Sequence, residues 1–236
     1  MTEKEWLTAT DPTPMLEFLR GKASDRKLRL TGCGCARQHM QLHLAERLMM
    51  LVAIAELVAD GLAEQARLIA LLEELKNVLN GDATQDVHLG VSGIAFSVGH
   101  PPSLCRHFEQ AFDWMAAGVA WSVTPLTVDD SEGWGNPSDP RWRAVWADEL
   151  KQQIRITHDI FGNPFCPTTV CPSWLTSTVV ALAEGIYQER AFDRLPILAD
   201  ALQDAGCDND DMLNHCRSEG SHCRGCWVVD LLTGRK

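Results

Sequence analysis

The sequence predicts an all-α protein: a multi-helix bundle with a Gly/Pro-rich middle segment and a C-terminal array of short helices. Three observations carry that expectation. Apolar residues recur at spacings of three and four over long stretches, as one face of an α-helix requires. Residues that start and stop helices punctuate those stretches. No segment alternates apolar and polar residues for long enough to build a sheet.

The elements follow in order. In "TEKEWLTATDPTPMLEFLRG" Asp11 caps a short helix with Pro12 at its first position and Gly21 at its end. Ser24 and Asp25 signal the next start. From Leu28 to Leu79 the pattern is helical. Leu44, Leu48, Leu51, Val52, Ala55 and Val58 form one stripe, closed by Asp60-Gly61. Leu68, Leu71, Leu72, Leu75 and Leu79 form a second, closed by Asn80-Gly81. Two antiparallel helices joined tightly would bury both stripes. The glycine-rich stretch 81–100 is a loop, or a loop with one short strand. Pro101, Pro102 and Ser103 then start a helix with Leu104, Phe108, Phe112 and Met115 on one face.

"SVTPLTVDDSEGWGNPSDP" reads as a linker, so the expected organisation is an N-terminal helical region 1–121, a linker 122–139 and a C-terminal helical domain 140–236. Asp139 and Pro140 open a helix in which Trp142, Trp146, Leu150 and Ile154 step by four, with His158 next in line. "FGNPFCPTTVCPSW" has prolines too closely spaced for a helix. Short helices then start from caps at Thr178, Asp193 and Asn209. "CWVVDLLTG" closes the chain as a helical or extended segment.

The bulk numbers exclude several classes. The chain has 236 residues, 45% of them hydrophobic, which is enough for an ordinary buried core. The formal net charge of -11 argues against a nucleic-acid partner, since phosphate backbones need a clustered basic face. The most apolar window, "LMMLVAIAELVADGLA", carries Glu56 and Asp60 and is too short and too charged to span a bilayer. No secretory signal opens the sequence. A soluble, cytoplasmic protein with no membrane partner is the expectation. Nine cysteines in a reducing compartment are then buried small hydrophobes, metal ligands or reactive thiols rather than disulfides.

Two stretches could carry chemistry. In "LTGCGCARQHMQLH" a helix would stack Cys35, His39 and His43 in one band, and such a band could hold zinc or supply a haem axial ligand. Cys33 points away from that band. The plainer reading is a buried cysteine with two histidines at a helix edge, because no E-x-x-H or H-E-x-x-H grammar accompanies them. In "HCRSEGSHCRGC" the candidates are His215, Cys216, His222, Cys223 and Cys226. Cys223-x-x-Cys226 has half a zinc-ribbon spacing, with Gly225 allowing a tight knuckle, and is equally the spacing of a thiol-disulfide couple. The plainer reading is a loop with partly buried, hydrogen-bonded side chains. Cys166 and Cys171 form a looser pair. His100, Cys105 and His107 lack anything to orient them, and Asp129, Asp130 and Glu132 read as a solvated charge run. Phosphate-binding loops, dinucleotide fingerprints and nucleophile elbows are all missing.

Two blocks carry a resemblance. "EWLTATDPTPMLEFLRGKASDRKLRL" at the start, and "FGNPF", "TVVALAEGIYQERAFDRLPILADALQDAGCDNDDMLNHCR" and "HCRGCWVVDLLTGR" at the end, resemble a family of uncharacterised planctomycete-type bacterial proteins. The resemblance implies an interaction or regulatory unit, because similar C-terminal blocks occur beside other modules. It also implies that Cys33, Cys35, His215, Cys216, His222 and Cys226 match family positions. His39 meets an apolar position, Cys223 a usually apolar one, and Cys166 and Cys171 depart from the pattern. Residues 44 to 150 carry little of the resemblance.

The functional expectation is a non-enzymatic helical module for protein-protein interaction or regulation, with another protein as partner. The alternative is a metal- or haem-binding redox or gas sensor using the Cys/His clusters, with zinc ahead of haem. A thiol enzyme using Cys223 or Cys226 is a third reading.

Overall fold

A computed structural model describes residues 1–38, 45–82 and 140–236. Among the described residues there are ten α-helices and no strand, so the fold is all-α. They are α1 (Glu3–Leu7), α2 (Thr13–Leu19), α3 (Asp25–Arg37), α4 (Ala45–Ala59), α5 (Gln65–Asp82), α6 (Pro140–Phe161), α7 (Ser177–Glu189), α8 (Leu195–Asp204), α9 (Asp210–Arg217) and α10 (Trp227–Thr233). The chain divides into two compact units, Met1–Ile154 and Arg155–Lys236. The linker expected at 122–139 and the helix expected at 103–121 lie outside the described residues. No helix among the described residues is long and apolar enough to cross a membrane.

In the first unit α3 packs on α4 and α4 on α5. The stripes read from the sequence face inward: Leu48, Leu51, Val52 and Ala55 on α4, and Leu68, Leu72 and Leu75 on α5. Ser24 caps α3 by accepting the Lys27 N–H. The start of α2 differs slightly from expectation. Pro12 is the cap residue and Asp11 accepts the Thr13 N–H at 2.8 Å, so the carboxylate serves the same orphan donor from one position earlier. Helix α5 runs through Asn80-Gly81 instead of stopping there. A stop signal costs a helix only about 1 kcal/mol at glycine, which a continuous helix outweighs.

Charged groups stitch these helices. Glu56, buried on α4, receives Arg37 of α3 in a bidentate pair at 2.6 and 3.0 Å. Arg26 reaches Asp60 at 3.0 Å, and Arg29 donates to Gln65 at 2.9 Å. A glutamate on an apolar helix face is tolerated only where a cation meets it.

In the second unit four short helices turn narrow apolar stripes toward one core. Val179, Ala183, Ile186 and Tyr187 come from α7, and Leu195, Leu198, Ala199 and Leu202 from α8. Met212, Leu213 and Cys216 of α9 and Val228, Val229 and Leu232 of α10 complete it. The caps explain why such short helices hold. Thr176, two residues before the expected Thr178, accepts the Val179 N–H, and Asn209 accepts the Met212 N–H at 2.9 Å. Asp193 does not cap α8. It lies in a 3₁₀ turn, Phe192–Arg194, that leads directly into the helix, where Pro196 sits in the first turn. The closing segment is helical, with Cys226 as its cap residue.

The Arg37–Glu56 pair gives a test. Arg37→Met strands a buried carboxylate and is expected to destabilise the protein by about 3 kcal/mol, whereas the double change Arg37→Met/Glu56→Met recovers most of that loss. Denaturant unfolding of the two variants checks this, and equal losses in both would contradict it.

Candidate metal centre

The site lies within the second unit and draws on three segments. The first is the end of α6. Its last two turns place Ile156 and Ile160 in the interior, and Asp159 lies between them with its side chain only 3% exposed. The second is α9, whose Asn209 cap and first-turn Asp210 and Asp211 set the helix that carries His215. The third is the loop from Ser218 to Cys226, which carries His222.

Four donor atoms converge there. A carboxylate oxygen of Asp159, one ring nitrogen each from His215 and His222, and Cys226 Sγ all lie within 4.8 Å of one another. His215 Nε2 is 3.1 Å from Asp159 Oδ1 and 3.2 Å from Cys226 Sγ. His222 Nδ1 is 2.6 Å from the same Oδ1. Metal–ligand bonds of about 2.0–2.3 Å put tetrahedral ligands about 3.3–3.8 Å apart, so two of these separations fall just under that range and the third has to widen to reach it.

A surrounding set of contacts orients the donors. Asp159 Oδ2, the oxygen turned away from His222, accepts the Cys223 N–H at 2.9 Å. His222 Nε2 lies 3.4 Å from the Ser218 carbonyl, which can accept its proton once Nδ1 is used elsewhere. The rings of His215 and His222 meet edge-on at 4.9 Å. The Trp227 ring tilts against His215 at 5.3 Å. That ring also lies over Gly162, where a Cβ would stand 3.2 to 3.3 Å from three carbons of the indole and where φ is 59°. Glycine there both ends α6 in the left-handed region and leaves room for the tryptophan that braces the histidine.

The electrostatics follow from burial opposed by partners. Burial pushes the Asp159 carboxyl up, but hydrogen bonds from His215 and His222 and their charge outweigh it and hold it at about 2, below its ordinary 3.8. For His222, burial acts downward, and the Asp159 carboxylate overcomes it and raises the imidazole above 6.5. Burial, then the nearby Asp159 charge, push the Cys226 thiol well above its ordinary 9.0, against the backbone N–H groups of Val229 and Val228. Only a cation at this point would keep that sulfur as a thiolate.

The structure thus brings together His215, His222 and Cys226 of the sequence candidates. It does not bring Cys216 to them: that side chain is fully buried in the α7–α10 core, where burial pushes its thiol up to about 12. Cys223 is adjacent but outside the donor set, with Sγ 3.5 Å from Asp159 Oδ2. Cys35 is buried inside α3, its thiol raised by burial, and Cys33 Sγ lies 4.0 Å from the Val52 carbonyl oxygen. His39, His43, His100, Cys105 and His107 lie outside the described residues. Cys166 and Cys171 are exposed.

Sequence reading missed Asp159. It followed the Trp142–Ile154 face to His158 and passed over the next residue. A signal was present. A lone acid in the last turn of a helix opposes the macrodipole, and this one sits between two core isoleucines in "RITHDIFGN". No protein-family model, curated protein or solved structure matches the chain.

Metal-free protein should show a stability window set by this carboxylate. Asp159, lowered in the fold, contributes fully above about pH 4 and loses that contribution as pH falls through about 2. His222, raised in the fold, contributes fully below 6.5 and loses it as pH rises through its elevated value. With chelator present, the stability advantage of the native chain over Asp159→Asn should therefore be largest between about pH 4 and 6.5 and shrink on both sides. Denaturant titrations across pH measure it, and a flat difference would contradict it.

Proposed function

We propose that the C-terminal unit is a zinc-binding helical module in which the ion is a structural crosslink, and that the protein acts as a non-enzymatic interaction or regulatory unit. One observation carries the reading. Asp159, His215, His222 and Cys226 come from three separate segments and present one donor atom each to a common point.

The donor chemistry favours zinc. One thiolate, two imidazoles and one carboxylate suit a borderline cation with no geometric preference of its own, whereas calcium and magnesium would call for oxygens alone. Four small donors around a point suit an ion rather than a haem, whose axial ligand needs a slot for a macrocycle beside it. Four protein ligands also complete a tetrahedral shell, and a complete shell is the mark of a structural site. A catalytic site keeps a position for water or substrate. The ion would pin α9, the Ser218–Cys226 loop and α10 to the end of α6, and its binding free energy would add to folding. The resulting rigid array is what a recognition surface requires.

Zinc analysis of protein purified under reducing conditions tests this directly. About one equivalent per chain is expected, falling to a small fraction in Cys226→Ser and His215→Ala. With free zinc a hundredfold above its dissociation constant, binding stabilises by about 2.7 kcal/mol, so chelation should lower the melting temperature of this unit by about 10 °C or more. Cobalt(II) substitution should give the intense visible bands of a tetrahedral thiolate site. Protein that stays zinc-free in the presence of micromolar zinc would overturn the proposal.

A further inference from the structure

Cys223 has a position that the zinc reading leaves unused. It belongs to no core stripe, yet it is buried and its Sγ lies 3.5 Å from Oδ2 of the ligand Asp159. Its main chain is tied to the same oxygen through the N–H, at 2.9 Å. Three residues later comes the sulfur ligand. The Cys226 N–H donates to the Cys223 carbonyl at 3.0 Å, closing a four-residue turn. Gly225, third in that turn, has φ 95°, the left-handed value that a type II turn demands. The end Cα atoms of such a turn lie within about 7 Å, and a disulfide spans about 4.4–6.8 Å between Cα atoms. The backbone therefore already holds the two cysteines at bridging distance. Arg224, between them, is anchored by its stack over the Tyr187 ring at 4.8 Å, which keeps the turn in place.

Resting on the zinc reading above, we propose that Cys223 is the resolving thiol of a peroxide-driven switch that converts Cys223 and Cys226 to a disulfide and releases the metal. The chemistry balances in two steps. The zinc-bound Cys226 sulfur attacks one oxygen of hydrogen peroxide; the O–O bond breaks, the sulfur becomes a sulfenic acid, and the departing hydroxide takes a proton to become water. The Cys223 sulfur then attacks the Cys226 sulfur. The S–S bond forms, the S–O bond breaks, and the hydroxyl leaves with the Cys223 proton as a second water. The two thiols lose two electrons and the peroxide gains them. Cys226 no longer offers an anionic sulfur, so the ion keeps only Asp159, His215 and His222 and dissociates. Reduction by a dithiol restores both thiols and the site.

The exposed Cys166 and Cys171 would also react with peroxide, so the test uses the full-length, zinc-loaded chain carrying Cys166→Ser and Cys171→Ser. Zinc release is followed with a chromophoric chelator during exposure to hydrogen peroxide, and the thiols are mapped by peptide mass spectrometry. The parent should release its zinc, carry a Cys223–Cys226 linkage, and rebind zinc after dithiothreitol. Cys223→Ser keeps all four ligands, so it should bind zinc as the parent does. It should form no Cys223–Cys226 linkage, and zinc lost under peroxide should fail to return on reduction, because an unresolved sulfenic acid oxidises further. Cys223→Ala should behave likewise, which separates the missing thiol from any effect of the serine hydroxyl. Equal zinc recovery on reduction in parent and variants, or release from the parent without the linkage, would overturn the switch while leaving the zinc site standing. A chain that takes up no zinc before peroxide is added overturns the zinc reading and the switch with it.

Discussion

The Asp159 carboxylate is buried in the last turn of α6, where the unsatisfied helix carbonyls already gather negative charge. An anion in that place is tolerable only if cations or donors surround it. The second unit meets this demand from distant parts of the chain. His215 arrives on α9, and His222 and the Cys223 N–H arrive on the loop before α10. The path of that loop is therefore dictated by one acid. A divalent ion at the same point, as proposed, would answer the demand more fully than two imidazoles do, since it would also turn the buried Cys226 from a costly thiol into a ligand.

The first unit obeys the same rule with different partners. Glu56 lies on the buried face of α4 and is met by the Arg37 fork from α3. There the compensating group is the Arg37 guanidinium, whose two parallel donors match the carboxylate geometrically. Around Asp159 the partners are imidazoles and a thiol, which can exchange a proton for a metal. This difference in partner chemistry is why one buried acid reads as structure and the other as a site.

Much of the helical layout was legible in the order of residues. The α4 and α5 stripes, the Ser24 and Asn209 caps and the helix after Pro140 all stand where local pattern placed them, because a helix face and its cap are decided within a few residues. Caps were displaced where two polar residues competed for the same orphan donors, as with Thr176 and Thr178, or where a 3₁₀ turn took over from Asp193. For the site, the cluster "HCRSEGSHCRGC" was visible as a concentration of ligand-type residues. Which of them converge was not. Cys216 and His215 are adjacent in sequence, but α9 turns them by about 100° relative to each other, sending one into the core and the other to the site.

Local order along the chain determined the helical class, the apolar faces, the acidic charge and the presence of sulfur and imidazole near the C-terminus. These depend on neighbours three or four residues apart. Tertiary structure alone decided that Asp159 joins them from more than fifty residues upstream. It also decided that Cys223 stands beside the donors rather than among them. The reason is physical: a ligand shell is a set of positions in space, and only the tertiary fold, which brings the end of α6, α9 and the loop before α10 together, puts those donor atoms within a few ångströms of one another.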